Sequence, residues 1–333
     1  MTFPHLNGRA EKLAEEFDLE PAVAEWLAAA ALHAGCFLRS QYLEYSNQLR
    51  YSAERFVQTL RKQKLVVEIP GDDGLGLLCR ITNKRIYRVL GAANVRHRRL
   101  DSWRYMCHRL LSLDYVLDHP GLPWLPTEAE KLACCEKLGV PRTDLPYREY
   151  GGADNVGHTR RYFANKHPIA VDPGSKTAVF VYADSDERSP KGLRSWRKEH
   201  APLWSCLHEQ GFRLSIVHAG RNPELARSVR NVFRGWSQDA ASEDEITRMK
   251  RELGRLEAAL ENHDDHVLDE YGGFSRALSY AGKLEGRLEE KIEVAGYRAT
   301  YEAWLSSRIH PQGSWHNVLG PRLSKAQSTG GKP

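Results

Sequence analysis

The amino-acid sequence predicts a mixed α+β chain of several domains. Three observations predict it. In the N-terminal third, apolar stripes at helical spacing give way to two short β-rich runs. In the middle, β-rich and helical runs alternate, and near the C-terminus apolar residues recur at strict 3-4 spacing. At 333 residues there is room for two domains and a further extended element.

Residues 1–20 read as a polar lead-in. A first helix follows, with Pro21 near its start, where the missing N–H costs nothing, and Val23, Trp26, Leu27 and Ala30 forming a buried stripe. Gly35 stops it. A second short helix is expected from about Leu38 to Ser46. Ser52 is then expected to cap a third helix ending near Lys64.

At 100° per residue, Ala53, Phe56, Val57 and Leu60 share one arc of this third helix. The opposite arc carries Tyr51, Arg55, Gln58, Thr59 and Lys62. That combination suits a major-groove reader: Arg and Lys match guanine O6/N7, Gln matches adenine N6/N7, and the Thr methyl meets thymine. KLVVEIP, GDDGLG and LLCRIT then read as a β-hairpin. Three helices followed by a hairpin are the order of a winged helix-turn-helix, with the third helix in the groove. Arg39, Gln41 and Ser52 join the expected DNA-contacting set. So does a basic cluster after the wing, comprising Lys84, Arg85, Arg88, Arg96, Arg98 and Arg99, which is suited to gripping phosphate. Tyr105, Leu110, Leu111, Leu113 and Tyr115 predict a buried face on a linking helix.

Five prolines between 120 and 146, with Gly151 and Gly152, read as a linker region over 119–160. One helix interrupts it, opened by the capping box Thr127–Glu130. Beyond it a small α/β domain is expected over 161–238. Its strands lie near 167–172, 176–184 and 212–219, and its helices near 195–210 and 223–236. Ile246, Met249, Leu253, Leu256, Leu260, His263 and Val267 form a three-heptad coiled-coil seam. This helical segment spans 242–306 and is hinged near Gly272–Gly273, so it either folds back on itself or pairs with another subunit. Residues 307–333 are expected to be mostly a disordered tail.

Charge is unevenly distributed over a net +5. Phe37–Arg109 holds fifteen Lys/Arg against six Asp/Glu, whereas Ser242–Glu293 holds eight against fourteen. A cationic first third and an anionic helical segment point to polyanion binding at one end and protein contacts at the other; with the winged helix and the heptads, the expected partners are double-stranded DNA and a second copy of the chain. The N-terminus lacks a basic and apolar leader, and no apolar run approaches the ~20 residues of a membrane span, so a cytoplasmic location and no membrane partner are expected. The six cysteines form no CxxC pair and read as free, mostly buried thiols; no metal and no cofactor are expected.

Three patterns of catalytic type bear on function. Asp172 and Asp184 at strand ends, with Glu199-His200 downstream, evoke a metal-dependent nuclease, but no D/E-x-K lies on the second strand. His158-Thr-Arg-Arg161 matches the H-x-x-R of tyrosine recombinases. Trp315 and His316 follow, yet no tyrosine lies beyond Tyr301 to act as nucleophile. No GxxxxGKS/T or Gly-x-Ser-x-Gly is present. The expectation is a non-enzymatic protein.

The segments CFLRSQYLEYS, SAERFVQTLRKQKLVVEIP and LLCRITNKRIYRVLG resemble the replication-relaxation type of winged helix found in plasmid and transposon proteins. With RYFANKHPIAVDP, AVFVYAD and the heptads, the whole chain resembles the cointegrate-resolution T proteins of replicative (class II) transposons. The resemblance implies an accessory that binds a repeat in the resolution site and assists a separately encoded tyrosine recombinase. The alternatives are a transcriptional or plasmid-replication regulator and, behind it, the nuclease.

Overall fold

A computed structural model describes residues 3–6, 8–47, 50–70, 77–95, 102–151, 158–185, 189–238, 243–295 and 297–309. Pro21 opens α2 (Pro21–His33), which packs against α1 (Arg9–Phe17) and is buried along its Ala-rich length. Gly35, at a positive φ of 75° that a side chain would resist, turns the chain into β1 (Cys36–Leu38). There follow α3 (Arg39–Ser46), α4 (Arg50–Lys62), β2 (Val66–Pro70) and β3 (Leu77–Ile81). β3 lies centrally, antiparallel to both neighbours, giving the order β1-β3-β2. The strand β1 was not expected, and Ser52 lies inside the first turn of α4 instead of capping it. Asn83 caps α5 (Lys84–Val89) by accepting from Arg85 N at 2.9 Å.

The linking helix α6 (Trp103–Asp118) is buried from Met106 to Leu117 and packs against α2, β1, β7 and β8. Tyr105 departs from the expected buried face: it lies on the exposed first turn, while Leu110, Leu111, Leu113 and Tyr115 are buried.

The described residues between 119 and 160 carry more structure than a linker needs. The capping box forms as expected: Glu130 N donates to Thr127 Oγ1, and Thr127 N donates back to Glu130 Oε2, opening α7 (Glu128–Lys137). β4 (Tyr147–Gly151) and β5 (His158–Tyr162) then form an antiparallel ribbon. Trp124 pairs with Ala170, which joins the start of this segment to the next sheet.

That sheet contains β6 (Ile169–Asp172), β7 (Thr177–Ala183), β8 (Arg213–Gly220) and β9 (Ala299–Leu305), in the order β6-β7-β8-β9. The pair β6/β7 is antiparallel, whereas β7/β8 and β8/β9 are parallel. Between them run α8 (Lys191–Glu209) and α9 (Pro223–Gln238). Alternation along the strands sends side chains to two different cores. Ala170, Val181, Ala183, Val217 and Ala219 join the core built by the N-terminal helices and α6. Ile169, Val171, Phe180, Leu214 and Ile216 join the core built with α8 and α9. The sheet is therefore a middle layer, with α6 and the N-terminal unit on one face and α8 and α9 on the other.

The heptad segment folds back within the chain. α10 (Glu243–Asn262) ends before His263, which takes a positive φ of 52°, so the helix breaks where the seam was expected to continue. A short α11 (Asp265–Glu270) and two glycines at φ 85° and 93° then reverse the chain into α12 (Phe274–Ala295). The two long helices lie antiparallel: the Tyr280 hydroxyl donates to Glu252 at 3.0 Å, and Lys291 pairs with Glu245. Met249 packs with Leu284 and Leu288, and Leu256 and Ala259 pack with Ala277 and Ala281. Of the two arrangements left open by the heptads, the chain takes the fold-back, and the apolar seam residues pack within the hairpin. α12 then returns the chain to the sheet as β9, inside the span expected to be wholly helical. Among the described residues, no helix is long and apolar enough to cross a membrane.

Candidate nucleic-acid interface

The outward face of α4 is the most developed candidate surface on the N-terminal unit. Ala53, Phe56, Val57 and Leu60 are buried, with the Phe56 ring stacked on Tyr42 of α3 at 3.7 Å. This burial fixes the rotation of the helix and leaves Tyr51, Arg55, Gln58 and Lys62 exposed. Tyr51 is 73% accessible, an unusual exposure for a large ring. Thr59 is also exposed, but its hydroxyl donates to Arg55 O at 3.0 Å, so the methyl group is its remaining contact. Ser52 is half-buried at the start of the same helix. Arg55 has no acidic partner among the described residues.

Arg39 and Glu68 hold this face in place. From the start of α3, Arg39 Nε donates to Glu68 of β2 at 3.1 Å, and its Nη1 lies 3.9 Å from Glu54 of α4. Glu68 also accepts from Arg61 Nη1 at 2.8 Å. One nearly buried carboxylate therefore joins two helices and a strand. Arg39 acts first as a strut, not as a free phosphate contact. The role of Glu68 was missed because its partners, Arg39 and Arg61, come from two other elements.

Gln41 is a correction. It is fully buried: its amide donates to Leu110 O at 3.1 Å and Asp114 Oδ1 at 3.0 Å, and its oxygen accepts from Leu38 N at 3.0 Å. A side chain so placed joins α3 to α6 and cannot meet a base. Its helix carries few apolar residues, so the sequence offered no sign that Gln41 points inward. Lys84 is exposed at the start of α5. Arg85 pairs with Glu16 of α1 and sits 5.7 Å over the Phe17 ring, tying α5 to α1. Arg96, Arg98 and Arg99 lie outside the described residues, as do residues 71–76 of the hairpin turn.

A second polar assembly ties the N-terminal unit to the end of the chain. Asp114, buried in α6, accepts from Gln41 and from the Ser306 hydroxyl and lies 3.4 Å from Arg308 Nη1. Arg308 also reaches Asp118 at 2.7 Å and Glu44 of α3 at 2.7 Å. Burial pushes the Asp114 carboxyl up to about 6 despite this cation. Nearby, Arg109 donates to the carbonyls of Lys166 and Asn165, and Lys131 donates to His167 O at 2.6 Å. Burial brings Lys131 down to about 7.

Among the described residues, the nuclease-type carboxylates do not come together. Asp172 accepts from Gly174 N and Ser175 Oγ in the tight turn between β6 and β7. Asp184 lies at the opposite end of β7, buried against His218 Nε2 at 3.1 Å. His200 is buried, its Nδ1 against Trp196 O at 2.8 Å, and Glu199 is half-buried beside it. These carboxylates cannot share one metal, and no group of three His, Cys, Asp or Glu able to hold a metal occurs among the described residues. Arg160 pairs with Glu149 at 2.8 Å and Arg161 lies 3.8 Å from Glu128; Trp315 and His316 fall outside the described residues. All six cysteines are free, with Cys36, Cys79, Cys107 and Cys135 buried.

Comparison with protein families, curated proteins and solved structures gives no match.

Proposed function

We propose that the protein is a sequence-specific DNA-binding accessory factor whose N-terminal unit works as a winged helix-turn-helix. One observation carries the reading. Burial of Ala53, Phe56, Val57 and Leu60 presents Tyr51, Arg55, Gln58, Thr59 and Lys62 together on a single helix face. In this reading α3 and α4 are the two helices of the motif and α4 enters the major groove. β2 and β3 form the wing, paired with β1 in the order β1-β3-β2. Arg55 and Gln58 read base edges, Lys62 and Lys84 grip phosphate, and Arg39 positions the helices.

The proposed setting is site-specific recombination, as an accessory to a separately encoded recombinase. Supporting it are the resemblance of the segments to cointegrate-resolution T proteins and the anionic antiparallel hairpin of α10 and α12. That hairpin is read as an intramolecular coiled coil offering its outer face to a protein. Self-association would have to use a surface other than the internal seam.

Footprinting the purified protein on the DNA upstream of its own gene tests the core of the proposal. A protected site whose protection is lost with Arg55→Ala supports it. A site protected equally by the Arg55→Ala variant rejects α4 as the reading helix.

A further inference from the structure

The helix α9 carries a cationic stripe that the N-terminal reading leaves unexplained. Residues 212–238 hold five arginines and a single acid, Glu224. At 100° per residue, Arg227, Arg230, Asn231 and Arg234 fall within about 100° of arc. All four are exposed, while Leu225, Ala226, Val229, Phe233 and Trp236 on the other side are buried. Phe233 stacks on Tyr301 of β9 at 5.2 Å, which fixes the rotation of the helix. Arg227, Arg230 and Arg234 have no acidic partner among the described residues; the one polar contact is Arg234 to Asn231 Oδ1 at 3.4 Å. Three unneutralised guanidiniums over two turns span roughly 10 Å. They repel one another, and folding alone does not reward the arrangement.

The position of the stripe matters as much as its charge. The apolar side of α9 belongs to the core on one face of the sheet, whereas α6 and the unit bearing α4 pack on the other face. α4 and α9 are therefore separated by the full thickness of the sheet. Separate duplex segments suit this placement better than one straight duplex.

We infer that the Arg227/Arg230/Arg234 face of α9 is a second, sequence-independent DNA-binding surface that holds a duplex segment other than the one on α4. The partner chemistry is a phosphodiester backbone. Guanidinium forks match phosphate oxygens, and repeated arginines at this spacing suit a regular polyanion better than a single anion. A membrane surface is disfavoured because the apolar side of α9 is already buried in the core. The inference rests on the proposal that the chain binds DNA, but it is read by different variants.

The experiment uses the full chain with two duplexes. One carries the footprinted site and is fixed to beads; the other is a free fluorescent duplex of unrelated sequence. Wild type should retain the fluorescent duplex on the beads. The Arg227→Ala/Arg230→Ala/Arg234→Ala variant should stay on the beads but lose at least ten-fold of the retained fluorescence. Anisotropy on the unrelated duplex alone should show a salt slope reduced by about 2.7 for this variant, from three lost phosphate contacts. The triple Arg→Lys variant should keep most of both signals. Arg55→Ala should release the bead-bound site while leaving that salt slope in place, so failure of α4 and failure of α9 are told apart.

Undiminished retention of the second duplex by the triple Ala variant overturns the inference. So does equal loss of both duplexes, which would place α9 on the same DNA as α4. A changed sedimentation coefficient without DNA, with DNA binding intact, would assign the stripe to a protein contact and overturn it as well. Unchanged thermal unfolding of the triple variant excludes misfolding as the cause of any loss.

Discussion

Arg308, just beyond the last strand, pairs with Glu44 on α3 at 2.7 Å, and its far side faces the buried carboxylate of Asp114. The end of the sheet domain is thereby bonded to the first helix of the proposed DNA-reading pair. Removing this arginine leaves Asp114 without a cation in an apolar setting, which typically costs about 3–5 kcal/mol. Arg308→Met should lower urea stability by that order. The double variant Arg308→Met/Asp114→Asn should recover part of the loss. A double variant no better than the single one would show that the ion pair is not what Arg308 contributes.

Lys131 sets a pH dependence with the same sign as acid denaturation, displaced into the alkaline range. Its ammonium lies in the protein interior and is held near pH 7, against 10.5 when free. Between those values the folded chain binds fewer protons than the unfolded one, so stability should rise as pH climbs from about 7 toward 10. Urea midpoints across that range should increase by the equivalent of a few kcal/mol. Lys131→Met, which keeps the length of the chain, should flatten the curve. A flat wild-type curve would place the lysine in a wetter site than described.

On the N-terminal unit, Gln58 and Gln41 should separate cleanly. Gln58→Ala is expected to cost roughly 1–3 kcal/mol at a specific site and relax its sequence preference, with unchanged thermal stability. Gln41→Ala removes two donors and an acceptor from the buried contact of α3 with α6, at roughly 1–3 kcal/mol of folding stability. Its residual folded fraction should keep wild-type specificity. Competition binding with altered sites, paired with thermal melts, makes the distinction.

The hairpin should depend on internal packing. Leu256 is fully buried with Ala259, Ala277 and Ala281. Leu256→Ala should cost about 2–5 kcal/mol locally, visible as faster amide exchange in α10 and α12 with little change in the sheet. Exchange that instead depends on protein concentration would mean that a second copy supplies the packing.

How much of this was legible in the sequence follows from how local each signal is. The stripe Ala53–Leu60 lies within eight residues, so helical spacing alone identified both faces of α4. The strands β6, β7 and β8 announced themselves through short β-branched runs between turn residues. Three-residue β1 did not, since Cys36-Phe37-Leu38 looks like the tail of one helix or the head of the next, and it becomes a strand only by pairing with β3. β9 was hidden differently: ATYEAWL sits directly after heptads, and its place depends on a parallel partner some eighty residues earlier. Gln41, Glu68 and Asp114 belong to the same class. Their partners are distant in sequence, and no spacing rule reports them. The arginines of α9 were visible at i, i+3 and i+7, but their meaning required knowing which side of the sheet they occupy.

The four-stranded sheet has its two faces filled by different parts of the chain, and the interior behind α6 runs without interruption from Phe3 to Ile309. Nothing in that interior resembles a joint. Cutting after Asp118 would strip Val181, Ala183, Val217 and Ala219 of their cover, so neither fragment should behave as an independent module. The architecture resembles a clamp block machined from one piece more than beads on a string. On the proposed reading, one continuous core would set the angle between the duplexes held on the two outer faces.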